Sequence, residues 1–287
     1  MKKMFRGLVA GVALLTLTGV AAAGDFSMDP STVGSVQGNV DDIFGFTFVG
    51  TSNIQYTSGT GTGATDPFID NGALLATSLL SAPSTPFFTG GLNGTWELGA
   101  IFNGLTGSNT SVTGDEVEFG FDAGAGIIQI YASPTAGTFQ PNDPGSIGGA
   151  TLVAELELVS GTGDFDFEAG DGRVNILAEF TLLPVAGFWD FLGEDIVLGT
   201  QIFLAITDSN NNLFAADGTT ISNFDSFFGG SSANSAPGNF FVSNDGSVQL
   251  QISSVPEPST LLLLGSGLIG LAALVRRQSR KASQSSL

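Results

Sequence analysis

The chain has 287 residues, a formal net charge of −19 at pH 7, and neither cysteine nor histidine. These absences exclude disulfide bonds, nucleophiles activated by histidine, and zinc or haem sites built on cysteine or histidine. Residues 24–254 hold 26 acidic side chains and a single basic one, Arg173, so this region should repel nucleic acid. Residues 24–254 also lack lysine, so catalysis would have to rely on carboxylates, Ser, Thr or Tyr, and we predict that the protein is not an enzyme.

The N-terminal residues have the pattern of an export signal. A basic start at residues 2–6 precedes an apolar run at residues 8–20, and three alanines at positions 21–23 offer a small-residue cleavage site. This order is typical of a secretory signal peptide, which uses the Sec translocon and is removed by signal peptidase. We therefore predict a signal peptide at residues 1–23.

The body at residues 24–254 has the pattern of short strands separated by turns. Residues 151–159 alternate apolar side chains with two glutamates, as a strand with one buried face does. The whole pattern predicts a single all-β domain of roughly ten strands, arranged as a β-sandwich or a jelly-roll-like fold. The strand-like segments are residues 95–102, 126–132, 151–159, 173–183, 196–207 and 240–253.

Residues that favour turns separate these segments. Residues 244–246 read Asn-Asp-Gly and predict a hairpin turn between two strands within residues 240–253. Residues 208–212 and 217–218 predict further turns. No segment has the pattern of an amphipathic helix of ten or more residues, so we expect no long helix in the body.

One acidic segment offers candidate metal ligands. Asp164, Asp166, Glu168 and Asp171 lie among glycines in the sequence GTGDFDFEAGDG, and carboxylate oxygens are ligands that Ca²⁺ prefers. The segment is not an EF-hand loop, because its glycine is misplaced and Asn175 stands where the closing glutamate belongs. The alternative is a strand with inward phenylalanines and water-facing acids, followed by a turn. A calcium site here would make the protein a calcium-assisted carbohydrate-binding adhesin.

Two other groups of polar residues are weaker candidates. Asp208, Asn210 and Asn212 resemble the start of a calcium loop, but Leu213 replaces the required glycine, so a turn explains them better. Paired glutamates within residues 151–159 would suit a carboxylate-dependent polysaccharide hydrolase only if they flanked the sugar from opposite sides. Acids two positions apart share one strand face, so a hydrolase is the less favoured alternative.

The C-terminal segment has three parts in a fixed order. An apolar run at residues 260–275 would be about 24 Å long as a helix, which is a short transmembrane span. Two prolines hold the chain before it out of a helix, and four basic residues after it should stay on the cytoplasmic side. The motif before the run consists of Val255, Pro256, Glu257, Pro258 and Ser259. The basic cluster after it consists of Arg276, Arg277, Arg280 and Lys281, and a polar tail follows at residues 282–287.

This arrangement resembles the PEP-CTERM protein-sorting signal of Gram-negative bacteria, and the resemblance covers residues 255–281. In that family an exosortase recognises the Pro-Glu-Pro motif and processes the protein, and the hosts typically make exopolysaccharide. The resemblance implies that the helix holds the protein transiently in the inner membrane. It also implies a final location at the cell surface or in the extracellular matrix.

Parts of the body are similar to flocculation-associated PEP-CTERM proteins, which are β-rich and linked to cell aggregation through extracellular polysaccharide. The similar stretches are residues 40–46, 161–167 and 238–253, the last of which runs directly into the sorting motif. The resemblance implies a structural protein that associates with exopolysaccharide in a biofilm or a floc, without a bound cofactor.

Overall fold

The computed structural model describes residues 26–58, 61–82, 85–87, 91–191, 194–196, 202–230 and 238–252. These residues belong to one compact unit, Ala22–Val255, which contains every described strand and every buried cluster. The signal peptide and the sorting segment that we predicted lie outside the described residues. Because the unit carries its whole described core, we expect it to fold without the two flanking segments.

Strands dominate the described part of the chain, which confirms the all-β prediction. The strands are β1 (Phe26–Met28), β2 (Val40–Ile43), β3 (Gly45–Tyr56), β4 (Pro67–Ala82), β5 (Thr85–Phe87), β6 (Glu97–Thr113), β7 (Glu116–Phe121), β8 (Ile127–Ser133), β9 (Thr151–Asp166), β10 (Asp171–Leu182), β11 (Trp189–Phe191), β12 (Glu194–Asp195), β13 (Ile202–Phe214) and β14 (Asn239–Ile252). One helix, α1, spans Gly218–Phe228, and short 3-10 helices span Pro30–Val33 and Pro144–Gly149.

The main sheet is antiparallel and closes on itself. Its strands follow the order β5-β4-β3-β14-β13-β10-β9-β7-β6-β8, and the additional pairings of β4 with β6 and of β9 with β8 complete a ring. β7 and β8 share one position in this ring, because each pairs with both β6 and β9, at opposite ends of those long strands. The predicted sandwich or jelly roll is therefore wrong in its arrangement of sheets. The long strands form one closed sheet and not two facing sheets.

Long strands with local irregularities explain the closure. β4 and β6 have 16 and 17 residues, and their pairing shifts register between Asp70 and Gly72. Such bulges bend a strand and increase its twist, which lets a sheet curl until its edges meet. The backbones of β3 and β14 also approach closely at Gly45, where a Cβ atom would overlap the carbonyl oxygen of Val248.

Alternating side chains from the ring strands fill the interior. Phe46 and Phe48 of β3 lie in one buried cluster with Leu204 of β13. A separate four-stranded sheet, in the order β12-β11-β1-β2, buries Met28 and Trp189 in the same cluster. The Trp189 indole Nε1 donates a 3.0 Å hydrogen bond to the backbone oxygen of Val153, which ties the small sheet to β9.

The helix α1 contradicts two of our expectations. It has 11 residues, so the prediction that the body lacks a long helix is wrong. The predicted turn at residues 217–218 is instead a helix start, where the Asp217 carboxylate accepts a 2.7 Å hydrogen bond from the Thr220 N–H. The helix buries Phe224 against Phe241 of β14, with ring centroids 5.0 Å apart.

Two other predicted turns are continuous strand. Residues 208–212 lie within β13, and residues 244–246 lie within β14. The two segments pair with each other, with Asn211 opposite Asn244 and Asn210 opposite Asp245. The Asn-Asp-Gly sequence therefore makes no hairpin here, because its backbone is paired on both sides, with β13 and with β3.

Candidate functional site

Neighbouring ring strands bring most of the predicted metal ligands to one groove on the outer face of the sheet. Strand pairing places Asp166 of β9 between Glu116 of β7 and Asp171 of β10. The side-chain alternation fixes this face as the outer one, because Phe165 is 4% exposed and packs into the interior. The groove has a volume of about 570 Å³. Its lining residues are Glu116, Asp164, Phe165, Asp166, Asp171, Gly172, Arg173, Asn210, Asn212 and Asp245.

Glu168 alone among the four predicted ligands stays outside the groove. It lies, exposed, in the turn between β9 and β10. In that turn the Asp166 Oδ1 atom accepts hydrogen bonds from the backbone N–H groups of Glu168 and Ala169, at 2.8 and 3.0 Å. The alternative that we weighed, a strand with inward phenylalanines followed by a turn, describes this segment.

The four predicted ligands are spread over β9, the following turn and the start of β10. In the part of the chain that the structure describes, no three histidine, cysteine or acidic side chains are placed to hold a metal ion. Asp164 and Asp166 are half-buried on β9, whereas Asp171 is exposed at the start of β10. Calcium binding at these residues therefore stays a prediction.

The weaker sequence candidates also have defined positions. Asn210 and Asn212 line the same outer groove from β13, which joins two segments that we treated separately. Glu155 accepts a 3.0 Å hydrogen bond from the Gln129 side chain, and Glu157 is exposed on the same strand. These two glutamates cannot flank a sugar from opposite sides, because both belong to β9.

A row of polar side chains, which we did not predict, lies on the inner face of the ring. The Asn244 side chain donates a 3.2 Å hydrogen bond to the Ser52 hydroxyl, and Ser52 in turn hydrogen-bonds the Asp70 carboxyl group. The Asp70 side chain is 8% exposed, and its Oδ1 atom has no hydrogen-bond partner. Burial raises the pKa of Asp70 to about 7, although the Ser52 hydrogen bond opposes this shift.

The sequence does contain a signal for this inner row. Phe68, Asp70, Gly72 and Leu74 alternate along β4, so an acid occupies an inward position within an apolar pattern. An acid on the buried face of a strand is costly unless it is paired or neutral, and such a residue merits attention. Asp70 belongs to none of the acidic clusters in the sequence, so it does not have the pattern that indicates a metal or catalytic site.

The C-terminal segment carries a recognisable sorting motif. Among the residues that the structure describes, no helix has the length and apolarity needed to cross a membrane. The predicted span at residues 260–275 lies outside that part. Residues 254–278 match the PEP-CTERM protein-sorting motif. The chain carries the PEP-CTERM sorting motif, which supports its being an exosortase substrate. Comparisons with curated proteins and with solved structures give no match.

The PEP-CTERM match at residues 254–278 overlaps most of the segment that we predicted at residues 255–281. It contains the whole predicted motif at residues 255–259, the apolar run and the first two arginines of the basic cluster. It implies export, processing by exosortase and sorting to the cell surface. β14, the strand that joins β13 to β3 in the ring, ends at Ile252, so the PEP-CTERM signal follows the body almost directly in sequence.

Proposed function

We propose that this protein is a non-enzymatic structural protein of the cell surface or extracellular matrix that associates with exopolysaccharide in biofilms or flocs. The observation that carries the proposal is the PEP-CTERM motif at residues 254–278. The export route begins with the Sec translocon and signal peptidase. Residues 260–275 then hold the chain in the inner membrane of a Gram-negative host until exosortase processes it near the Pro-Glu-Pro motif.

The body has properties that suit a permanent extracellular role. It folds without disulfide bonds, and its closed sheet pairs the long ring strands on both edges, which suppresses edge-to-edge aggregation. Its 26 acidic side chains and one basic side chain oppose binding to anionic polymers unless dissolved cations screen the charge. We therefore expect the body to associate with neutral polysaccharide, or with acidic polysaccharide in the presence of divalent cations.

A calcium-assisted carbohydrate-binding adhesin is the second candidate. The observation in its favour is that Asp164, Asp166 and Asp171 share the outer groove with two asparagines of β13, which adds neutral oxygen donors to the carboxylates. If this candidate is right, EDTA lowers the melting temperature of the protein or abolishes its binding to host polysaccharide. An unchanged melting temperature and unchanged glycan binding in the presence of calcium and of EDTA would exclude the calcium-assisted adhesin.

The structural proposal is tested in an exopolysaccharide-making host. Deletion of the gene should slow cell settling, and the full-length gene should restore it. A chain that ends at Ser254 should be exported but should fail to restore settling, because it lacks the sorting signal. Settling that is unchanged by the deletion would refute the role in aggregation.

The sorting step needs its own matched variants. Alanine at Pro256, Glu257 and Pro258 should leave the protein uncleaved in the membrane fraction. Alanine at Ser283, Gln284 and Ser285, in the polar tail beyond the basic cluster, is the control and should leave processing intact. Mass spectrometry of the released protein identifies its new C terminus. Normal processing of the Pro256, Glu257 and Pro258 variant would contradict recognition through Pro-Glu-Pro.

A further inference from the structure

The closed sheet encloses an apolar cavity that the sorting function does not use. Side chains from nine ring strands line it, and its volume is about 80 Å³. One water molecule accounts for about 30 Å³ of the liquid, so the space exceeds what a single ordered water needs. The side chains that line a cavity of this size lose van der Waals contacts, and an apolar molecule that enters the cavity restores them.

The polar groups of the cavity converge on one side of it. Ser52, Asp70 and Asn244 are joined by hydrogen bonds, and Asn211 pairs opposite Asn244 on β13. The Tyr56 hydroxyl also reaches this region, but it donates its proton to the Asn109 side chain at 2.9 Å and so does not serve Asp70. Asp70 Oδ1 is therefore a buried acceptor without a donor.

Such an acceptor indicates the chemistry of a missing partner. Leaving a buried oxygen unpaired is costly, and native proteins satisfy nearly all such atoms. Within the described lining, Asp70 is the one acidic side chain and no basic side chain is present. A hydroxyl group suits this oxygen, because it can donate to the ionised Asp70 carboxylate or accept from the protonated carboxyl group, and burial keeps much of Asp70 uncharged near pH 7.

We propose that the cavity binds a small, mostly apolar molecule whose single hydroxyl group forms a hydrogen bond with Asp70 Oδ1. The aromatic and aliphatic walls, such as Phe102, Phe119 and Ile130, hold its apolar part by burial. Asp70 fixes its orientation, as one well-placed polar group does in an otherwise apolar pocket. The proposal goes beyond sorting and structure, since it assigns the body a ligand of its own.

The test uses the segment Ala22–Val255, purified without detergent, and two small probes of nearly equal size that suit a cavity of about 80 Å³. Titration followed by NMR chemical shifts compares 1-propanol, which has a hydroxyl group, with 1-chloropropane, which has none. We expect 1-propanol to bind about tenfold more tightly, the difference that one satisfied buried hydrogen bond makes. Absence of binding by either probe, or equal binding of both, would overturn the proposal, as would a cavity that holds only water.

Variants separate the hydroxyl contact from simple burial. Asp70→Leu should abolish the preference for 1-propanol, whereas Asp115→Leu, at an exposed turn, should keep it. Ala100→Leu, which fills the cavity from β6, should weaken both probes at least tenfold, whereas Thr110→Leu, exposed on the same strand, should not. If Asp70→Leu shows no cooperative urea transition, the Ala100 and Thr110 pair decides the outcome. Equal affinity in that pair would refute binding inside the ring.

Discussion

The buried carboxyl group of Asp70 should give this protein an unusual dependence of stability on pH. Its pKa is about 7 in the folded protein and 3.8 when it is unperturbed, so the folded state binds the proton more tightly. The stabilisation from this proton is fully present below about pH 3.8 and is lost as the pH rises to about 7. A shift of about three pH units corresponds to ~4 kcal/mol of unfolding free energy. Asp70→Asn keeps the size of the side chain and cannot ionise, so its stability should lack this component.

The measurement is urea denaturation of the wild-type segment Ala22–Val255 and of Asp70→Asn at several pH values from 4 to 8. The stability of the wild type relative to the variant should fall by up to ~4 kcal/mol across this range, since the other acids titrate in both proteins. Asp115→Asn, at an exposed turn, is the control and should show a pH dependence close to that of the wild type. A constant difference between wild type and Asp70→Asn from pH 4 to 8 would show that Asp70 titrates normally, and our account of its burial would be wrong.

Three further predictions concern stability. Gly45→Ala should destabilise the protein by about 2 kcal/mol or more, because the new methyl group would overlap the backbone of Val248. Gly120→Ala is the control and should not destabilise the protein, because its methyl group has room. Thermal melting compares the two variants. Glu97→Gln should lower the free energy of unfolding by about 2 to 3 kcal/mol, because the buried Glu97 carboxylate accepts hydrogen bonds from three successive backbone N–H groups. Urea denaturation measures this loss, and exposed Glu118→Gln should be neutral. Equal effects of the two substitutions would refute the role of Glu97. Raising the salt concentration from 10 to 500 mM should raise the melting temperature, because the acidic body repels itself, and a falling value would contradict that reasoning.

The strands of this fold could be predicted where alternation is regular, and the closure of the sheet could not. Residues 151–159 fall within β9 and residues 126–132 largely coincide with β8, because apolar and polar side chains alternate there. Closure depends on pairings between strands that are distant in sequence, such as β3 with β14. No local pattern encodes these partners, so the same strands were equally compatible with a sandwich.

The wrong turn predictions have a common physical cause. Asparagine, aspartate and glycine favour turns because their side chains bond to the nearby backbone or allow unusual backbone angles. In β13 and β14 the backbone is bonded across the sheet instead, and the Asn244 amide is satisfied by Ser52 of β3. The helix α1 escaped prediction for a related reason. Its cap at Asp217 is local, but much of its stability comes from Phe224 packed against Phe241, and that contact depends on tertiary context.

The site was predictable in part. The acids of residues 164–171 were recognised as a group, and strand pairing placed three of them in one groove with residues from β7, β13 and β14. The turn geometry that removes Glu168 depends on two backbone hydrogen bonds to Asp166, which no spacing rule reveals. Asp70 interrupts the apolar alternation of β4, but its burial beside Ser52 and Asn244 depends on strand pairings that the sequence does not reveal.

The pairing of β14 sets the order in which the protein can mature. This strand completes the ring by bonding to β3 on one side and to β13 on the other, and it is the last described strand of the body. A chain exported from its N terminus cannot complete its fold until residues 239–252 have emerged. By then the sorting signal at residues 254–278 is the next segment to be delivered. Folding of the body and arrival of the exosortase motif are thus nearly simultaneous, so a body stalled in translocation would present the signal late or not at all.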